Sequence, residues 1–153
     1  MNKIINYKLL FFLLLLLASC TYQPILQNKN YAFSLNIDKL NGDQKINSLI
    51  VNSFSNLKGK EKNYNLIILS EKIKNIISKD SKGDPAIFEL QINVNYSVSK
   101  DGKILITNII NRKTTYNNIT DKFELKNYEK NIINNLSRNI SDKILDSISE
   151  IDG

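Results

Sequence analysis

Residues Phe88–Ser99 read FELQINVNYSVS and are followed by Lys100-Asp101-Gly102-Lys103. Phe88, Leu90, Ile92, Val94, Tyr96 and Val98 alternate without a fault against Glu89, Gln91, Asn93, Asn95, Ser97 and Ser99. A period of two is the signature of a strand with one face buried and the other in water. Asp-Gly between two strand patterns favours a type I′ hairpin, whose two central residues both need positive φ. The stretch therefore predicts an antiparallel pair, with the second strand running from about Lys103 to Tyr116.

Upstream, Tyr31 to Asp38 shows a shorter alternation of Phe33, Leu35 and Ile37, which predicts a first strand. After Leu40-Asn41-Gly42 the spacing changes: Ile46, Leu49, Ile50, Phe54 and Leu57 line one side of a helix. Asp43 is its expected N-cap and Gly59 its expected C-terminal cap. Tyr64 to Asp80 (YNLIILSEKIKNIISKD) is ambiguous, because Ile73, Ile76 and Ile77 fit helical spacing while Ile73 and Ile77 share a strand face with Ile67 and Leu69. It reads as one long, bulged strand, closed by the loop Ser81-Lys82-Gly83-Asp84-Pro85.

Downstream, Asp121-x-x-Glu124 is a variant of the capping box. Behind it Leu125, Tyr128, Ile132, Ile133, Leu136, Ile140, Ile144, Leu145, Ile148 and Ile151 hold an apolar stripe over roughly seven turns. Such a stripe suits a helix laid on a sheet. The predicted order is β-α-β-β-β-α, an α+β two-layer sandwich with two helices packed on a four-stranded sheet. The far face of the sheet is expected to be polar, rich in Asn, Gln, Ser and Lys.

The N-terminus has a different character. Met1 to Lys8 carries Lys3 and Lys8, Leu9 to Leu17 (LLFFLLLLL) is uninterrupted apolar sequence, and Ala18 and Ser19 are small. Basic start, apolar middle and small-residue end make a secretory signal. The apolar run is short of the roughly 20 residues that a membrane span requires. Cys20, the only cysteine of the chain, follows directly. The expected division is a signal peptide over 1–19, a lipidated tether over 20–30 and a single α+β domain over 31–153. Leu17-Ala18-Ser19-Cys20 resembles the lipobox of bacterial lipoproteins, which implies that Cys20 carries lipid. Thr21 in place of Asp, by resemblance to the Gram-negative sorting rule, favours the outer membrane.

Composition narrows the chemistry. The chain has no histidine and one cysteine, so His-based triads, cysteine nucleophiles and His/Cys metal clusters are not expected. Aspartates and glutamates are scattered, and the five glycines stand singly, without a phosphate-cradling loop. Neither an enzyme nor a cofactor is expected. The net charge is +6, of which Lys3 and Lys8 leave with the signal, and the remaining excess is modest. Nucleic acid is not an expected partner.

Two further stretches carry a family resemblance. Cys20-Thr21-Tyr22-Gln23-Pro24-Ile25-Leu26 is similar to the Cys-Gly-aromatic-x-Pro-Leu start of mature LPS-assembly lipoproteins of the LptE family, with Thr21 for the glycine. The run Tyr128 to Ile140 is similar to that family's last helix, with Leu136-Ser137-x-x-Ile140 standing where members have Leu-Ala-x-x-Ile. The resemblance implies a non-enzymatic outer-membrane lipoprotein that plugs an LptD-like β-barrel and helps to insert lipopolysaccharide. It also implies basic lipopolysaccharide contacts, for which position along the chain suggests Lys79, Lys82, Arg112, Lys113 and Lys122. A structural or accessory lipoprotein subunit of another envelope complex would share the same anchor and fold class.

Overall fold

The structure is a computed structural model that describes residues 31–55, 57 and 62–152. The signal over 1–19, the tether with Cys20 and the cap at Gly59 lie outside the described residues. The elements are β1 (Phe33–Gly42), α1 (Gln44–Ser53), β2 (Lys62–Lys79), β3 (Pro85–Lys100), β4 (Lys103–Asn117) and α2 (Lys122–Asp152).

The β3 alternation produces what its period demands: Leu90, Ile92, Val94, Tyr96 and Val98 are all buried. Asp101 (φ 50°) and Gly102 (φ 77°) make the two-residue turn, and Lys100 pairs with Lys103 across it. β2 is one strand, as its β-branched content suggests, with register shifts around Ser78. β2, β3 and β4 form an antiparallel meander, while β1 pairs with β2 in parallel through the α1 crossover. The strand order is β1-β2-β3-β4 in a mixed sheet. The fold is the α+β arrangement of two helices and four strands in the order β-α-β-β-β-α.

Two boundaries differ from the sequence expectation. β1 continues past Asp38 to Gly42, because a bulge between Ile37 and Lys39 breaks the alternation without ending the strand. α1 stops at Ser53, not near Leu57. Phe54 caps it with φ −95° and ψ 1°, its N–H reaching back to Val51 O at 2.9 Å. Phe54 and Leu57 are buried all the same, so the apolar period outlasts the helix.

The junction between β1 and α1 is tightly built. Gly42 has φ +88°, and a β-carbon there would collide with the Ser70 carbonyl of β2. That carbonyl accepts the Asp43 N–H at 3.1 Å, and the Ser70 hydroxyl donates to Asp43 O at 3.1 Å. The Asp43 carboxylate caps α1 by accepting from the N–H groups of Lys45 (3.0 Å) and Ile46 (3.1 Å). Asn47 Nδ2 ties back to Asn41 O at 2.9 Å.

α2 runs the length of the sheet. Its start is capped by Asp121, which accepts from Phe123 N–H (2.8 Å) and Glu124 N–H (2.9 Å). Ile140, Ile144 and Ile148 are fully buried, as are Ser137 and Ser141, small residues that the apolar stripe did not include. Tyr128 and Ile151, which it did include, are exposed. At the far end Lys62 Nζ donates to Asp152 O at 2.7 Å and pairs with its carboxylate at 3.1 Å, placing a cation on the last helical turn. Tyr64 Oη donates to the same carboxylate at 2.8 Å. Burial, with this hydrogen bond and the Asp152 charge behind it, pushes the pKa of the Tyr64 hydroxyl up to about 12.

The open face of the sheet is not wholly polar. Asn111 Nδ2 donates to Asn93 Oδ1 at 2.6 Å, Asn93 Nδ2 to Glu71 Oε2 at 3.2 Å, and Ser34 and Asn63 are bonded side by side. Among these amides stand exposed aliphatics, Ile67, Leu69 and Ile109. Ile67 and Leu69 are there because β2 is apolar at consecutive positions, Leu66 to Leu69, so burying Leu66 and Ile68 turns the other two outward.

Candidate functional site

β1 ends at Gly42 opposite Ser70, so Glu71 to Lys79 of β2 pair with β3 only. At that point the inward positions of β2 change from Tyr64, Leu66 and Ile68 to Ser70, Lys72 and Lys74. α1 begins beside this step and α2 passes over it. Between them lies a cleft of about 380 Å³, lined by Lys45 of α1, Lys72 of β2 and Phe123, Lys126, Asn127, Glu129, Lys130 and Ile133 of α2.

Part of its charge is compensated internally. Lys72 pairs with Asp43 at 3.6 Å. Lys74 pairs with Glu129 at 2.6 Å while its Nζ sits 4.0 Å from the centre of the Phe88 ring, a cation–π contact. The Tyr116 hydroxyl donates to the same Glu129 oxygen at 2.7 Å. Burial and this bond raise the Tyr116 hydroxyl well above its ordinary value. For Glu129 burial alone would raise the pKa, but hydrogen bonds from Lys74 and Tyr116 and the charges of Lys74 and Lys72 outweigh it, and the carboxyl titrates below the usual range.

Asp152 is held low in the same manner, burial being outweighed by Tyr64 and Lys62. A carboxyl depressed on folding contributes stability that is complete above its unfolded pKa and is lost as pH falls through the folded value. The melting temperature is therefore expected to fall as pH drops below the ordinary carboxyl range of 3.8 to 4.5. A Glu129→Gln, Asp152→Asn double variant should melt lower at neutral pH but show a flatter acid limb by calorimetry. An acid limb as steep as the parent's would assign acid sensitivity to other groups.

The five cations expected from sequence do not form one cluster. Lys79 closes β2 and Lys82 lies in the tip beyond it, a turn held by Asp80 Oδ1, which accepts from Lys82 N–H and Asp84 N–H, each at 2.9 Å. Lys122 opens α2 at the same end of the sheet, because Asn118 N–H donates to Ala86 O and Asn118 Nδ2 to Pro85 O, both at 2.8 Å. Arg112 and Lys113 are neighbours on a strand and so point to opposite faces. Arg112 turns toward the helices, with Nε donating to Asn139 Oδ1 at 2.6 Å. Lys113 lies on the open face, paired with Glu89 at 3.0 Å. The cleft lysines were missed because they come from three elements, and no local motif sets them apart from the other lysines.

Among the described residues no group of three or more His, Cys, Asp or Glu could hold a metal. Among them too, no helix is long and apolar enough to cross a membrane.

No family model matches the chain, and no curated protein matches it. Solved structures do. Rare lipoprotein B from Shewanella oneidensis superposes with a TM-score of 0.60 at 16% identity, over 76% of this chain and 96% of that one. Uncharacterized lipoprotein B from Nitrosomonas europaea gives 0.58 at 15%, over 78% and 84%. A minor lipoprotein from Acinetobacter baumannii gives 0.53 at 11%, over 78% and 92%. At such identities the likeness is one of fold.

Proposed function

We propose that this chain is an outer-membrane lipoprotein, anchored through Cys20, that plugs and supports an LptD-type β-barrel during lipopolysaccharide assembly. The observation that carries the reading is the fold shared with a rare lipoprotein B over 96% of that chain. It stands beside the lipobox-like Leu17-Ala18-Ser19-Cys20 and the family-like start and last helix of the sequence. The fold likeness alone reaches the architecture; the anchor and partner come from the resemblance.

The physical form of the domain suits the role. A barrel lumen is polar and hydrated, and the open face offers rows of amides, with Asn36, Asn65, Asn93 and Asn111 bonded to neighbouring side chains. Tyr31, the first described residue, stands beside the start of β1, at the end of the sheet where Lys62 meets Asp152. Lys79, Lys82 and Lys122 stand at the opposite end, where they could meet lipid phosphates by charge-assisted hydrogen bonds. Arg112 and Lys113 are each engaged within the domain and contribute less.

The test is a mild-detergent pull-down of the tagged lipoprotein from its own outer membrane with mass spectrometry. A stoichiometric LptD-like barrel is the expected result. Recovery of another envelope complex without the barrel would move the chain to an accessory-subunit role.

A further inference from the structure

The assembly role makes no use of the cleft over Lys72, and none of its lysines is among the five cations discussed for lipopolysaccharide. Lys126 and Lys130 stand one turn apart on α2, where like charges repel. Lys45 faces them from α1 and Lys72 from the floor. The acids nearby are committed: Asp43 to Lys72 and the α1 cap, Glu129 to Lys74 and Tyr116. Among the described residues, the side chains of Lys45, Lys126 and Lys130 form neither an ion pair nor a hydrogen bond. Three lysines without an ion pair thus line one small volume, and their summed positive field would attract a polyanion.

We propose that this cleft is a binding site for a phosphate-bearing ligand whose phosphate adjoins an apolar group. A phosphate ester carries a charge of about −1.5 to −2 and three strong acceptor oxygens, enough to engage several amino groups at once. A single carboxylate offers half that charge. The apolar requirement comes from Phe123, 75% exposed at the mouth, and from Ile133 in the wall. A lipid headgroup and a soluble organic phosphate both meet this description. The site is independent of the barrel partner and stands or falls separately.

The experiment titrates the full chain, in non-ionic detergent, with phenyl phosphate, with dihexanoyl phosphatidate below its micellar concentration, and with dihexanoyl phosphatidylcholine as the control, read by calorimetry. At least one phosphate probe is expected to bind, and Lys126→Gln with Lys130→Gln should weaken it by at least about tenfold, or ~1.4 kcal/mol. Lys79→Gln with Lys82→Gln should leave binding unchanged. Phosphatidate binding that exceeds phenyl phosphate binding and falls on Phe123→Ala identifies a lipid headgroup; comparable binding of the two, both falling on Phe123→Ala, identifies a soluble organic phosphate. The proposal is overturned if neither phosphate probe binds, or if the Lys79 and Lys82 variant weakens binding as much as the cleft variant. It also fails if a polyglutamate peptide binds through Lys126 and Lys130 where the phosphates do not.

Discussion

Gly42→Ala is expected to lower the stability of the domain by about 3–5 kcal/mol, a large part of the 5–15 kcal/mol that holds an ordinary domain folded. A left-handed backbone costs a non-glycine residue about 1–3 kcal/mol. At Gly42 the added β-carbon also meets the Ser70 carbonyl, which is backbone and cannot swing away. Relief requires the end of β1 to leave β2. That would break the Asp43 N–H to Ser70 O bond and disturb the Asp43 cap, each contributing roughly 1 kcal/mol. A fall in melting temperature on the order of 10 °C should appear by circular dichroism. Gly83→Ala is the control: it shares φ +88° but has no atom within 4 Å of the added carbon, so only backbone strain remains. Equal melting of the two variants would show that the junction is looser than described.

Cys20→Ala should have an all-or-none effect on location. One acyl chain holds a protein to a bilayer only marginally, and stable anchoring needs at least two. In the proposed lipoprotein all chains depend on one thiol, so the substitution removes them together. Radiolabelled palmitate incorporation should vanish and the domain should move to the soluble fraction. Full retention in the membrane without label would place the attachment elsewhere.

Legibility in the sequence followed how local each determinant is. β3 and its Asp101-Gly102 turn were readable because period and turn chemistry sit in adjacent residues. The α2 stripe was readable for the same reason, although Ser137 and Ser141 were not: burial of small polar residues follows from close packing, which leaves no hydropathy signal. The last part of β1 was hidden by its bulge at Asp38, since one extra residue puts Leu40 out of phase with Ile37. α1 looked longer than it is because Phe54 and Leu57 keep the helical spacing after the helix has stopped. The cleft could not be read at all. Lys45, Lys72 and Lys126 meet only because β1 ends where it does and α2 passes over the gap. The opposed directions of Arg112 and Lys113, by contrast, follow from their adjacency on a strand alone.

The parallel pairing of β1 with β2 also sets a timetable. β2, β3 and β4 join neighbours through short turns and can pair early, whereas β1 must wait for the α1 crossover to close and for β2. Even then the inner face is bare, since Ile140, Ile144 and Ile148 belong to α2, as does Asp152, which clamps Lys62 and Tyr64. The chain is therefore vulnerable until α2 has docked, with Leu66, Ile68, Ile92 and Val94 open to any other apolar surface. A truncation that removes the final three turns of α2 would hold the molecule in that unfinished state, a substrate for chaperones and proteases.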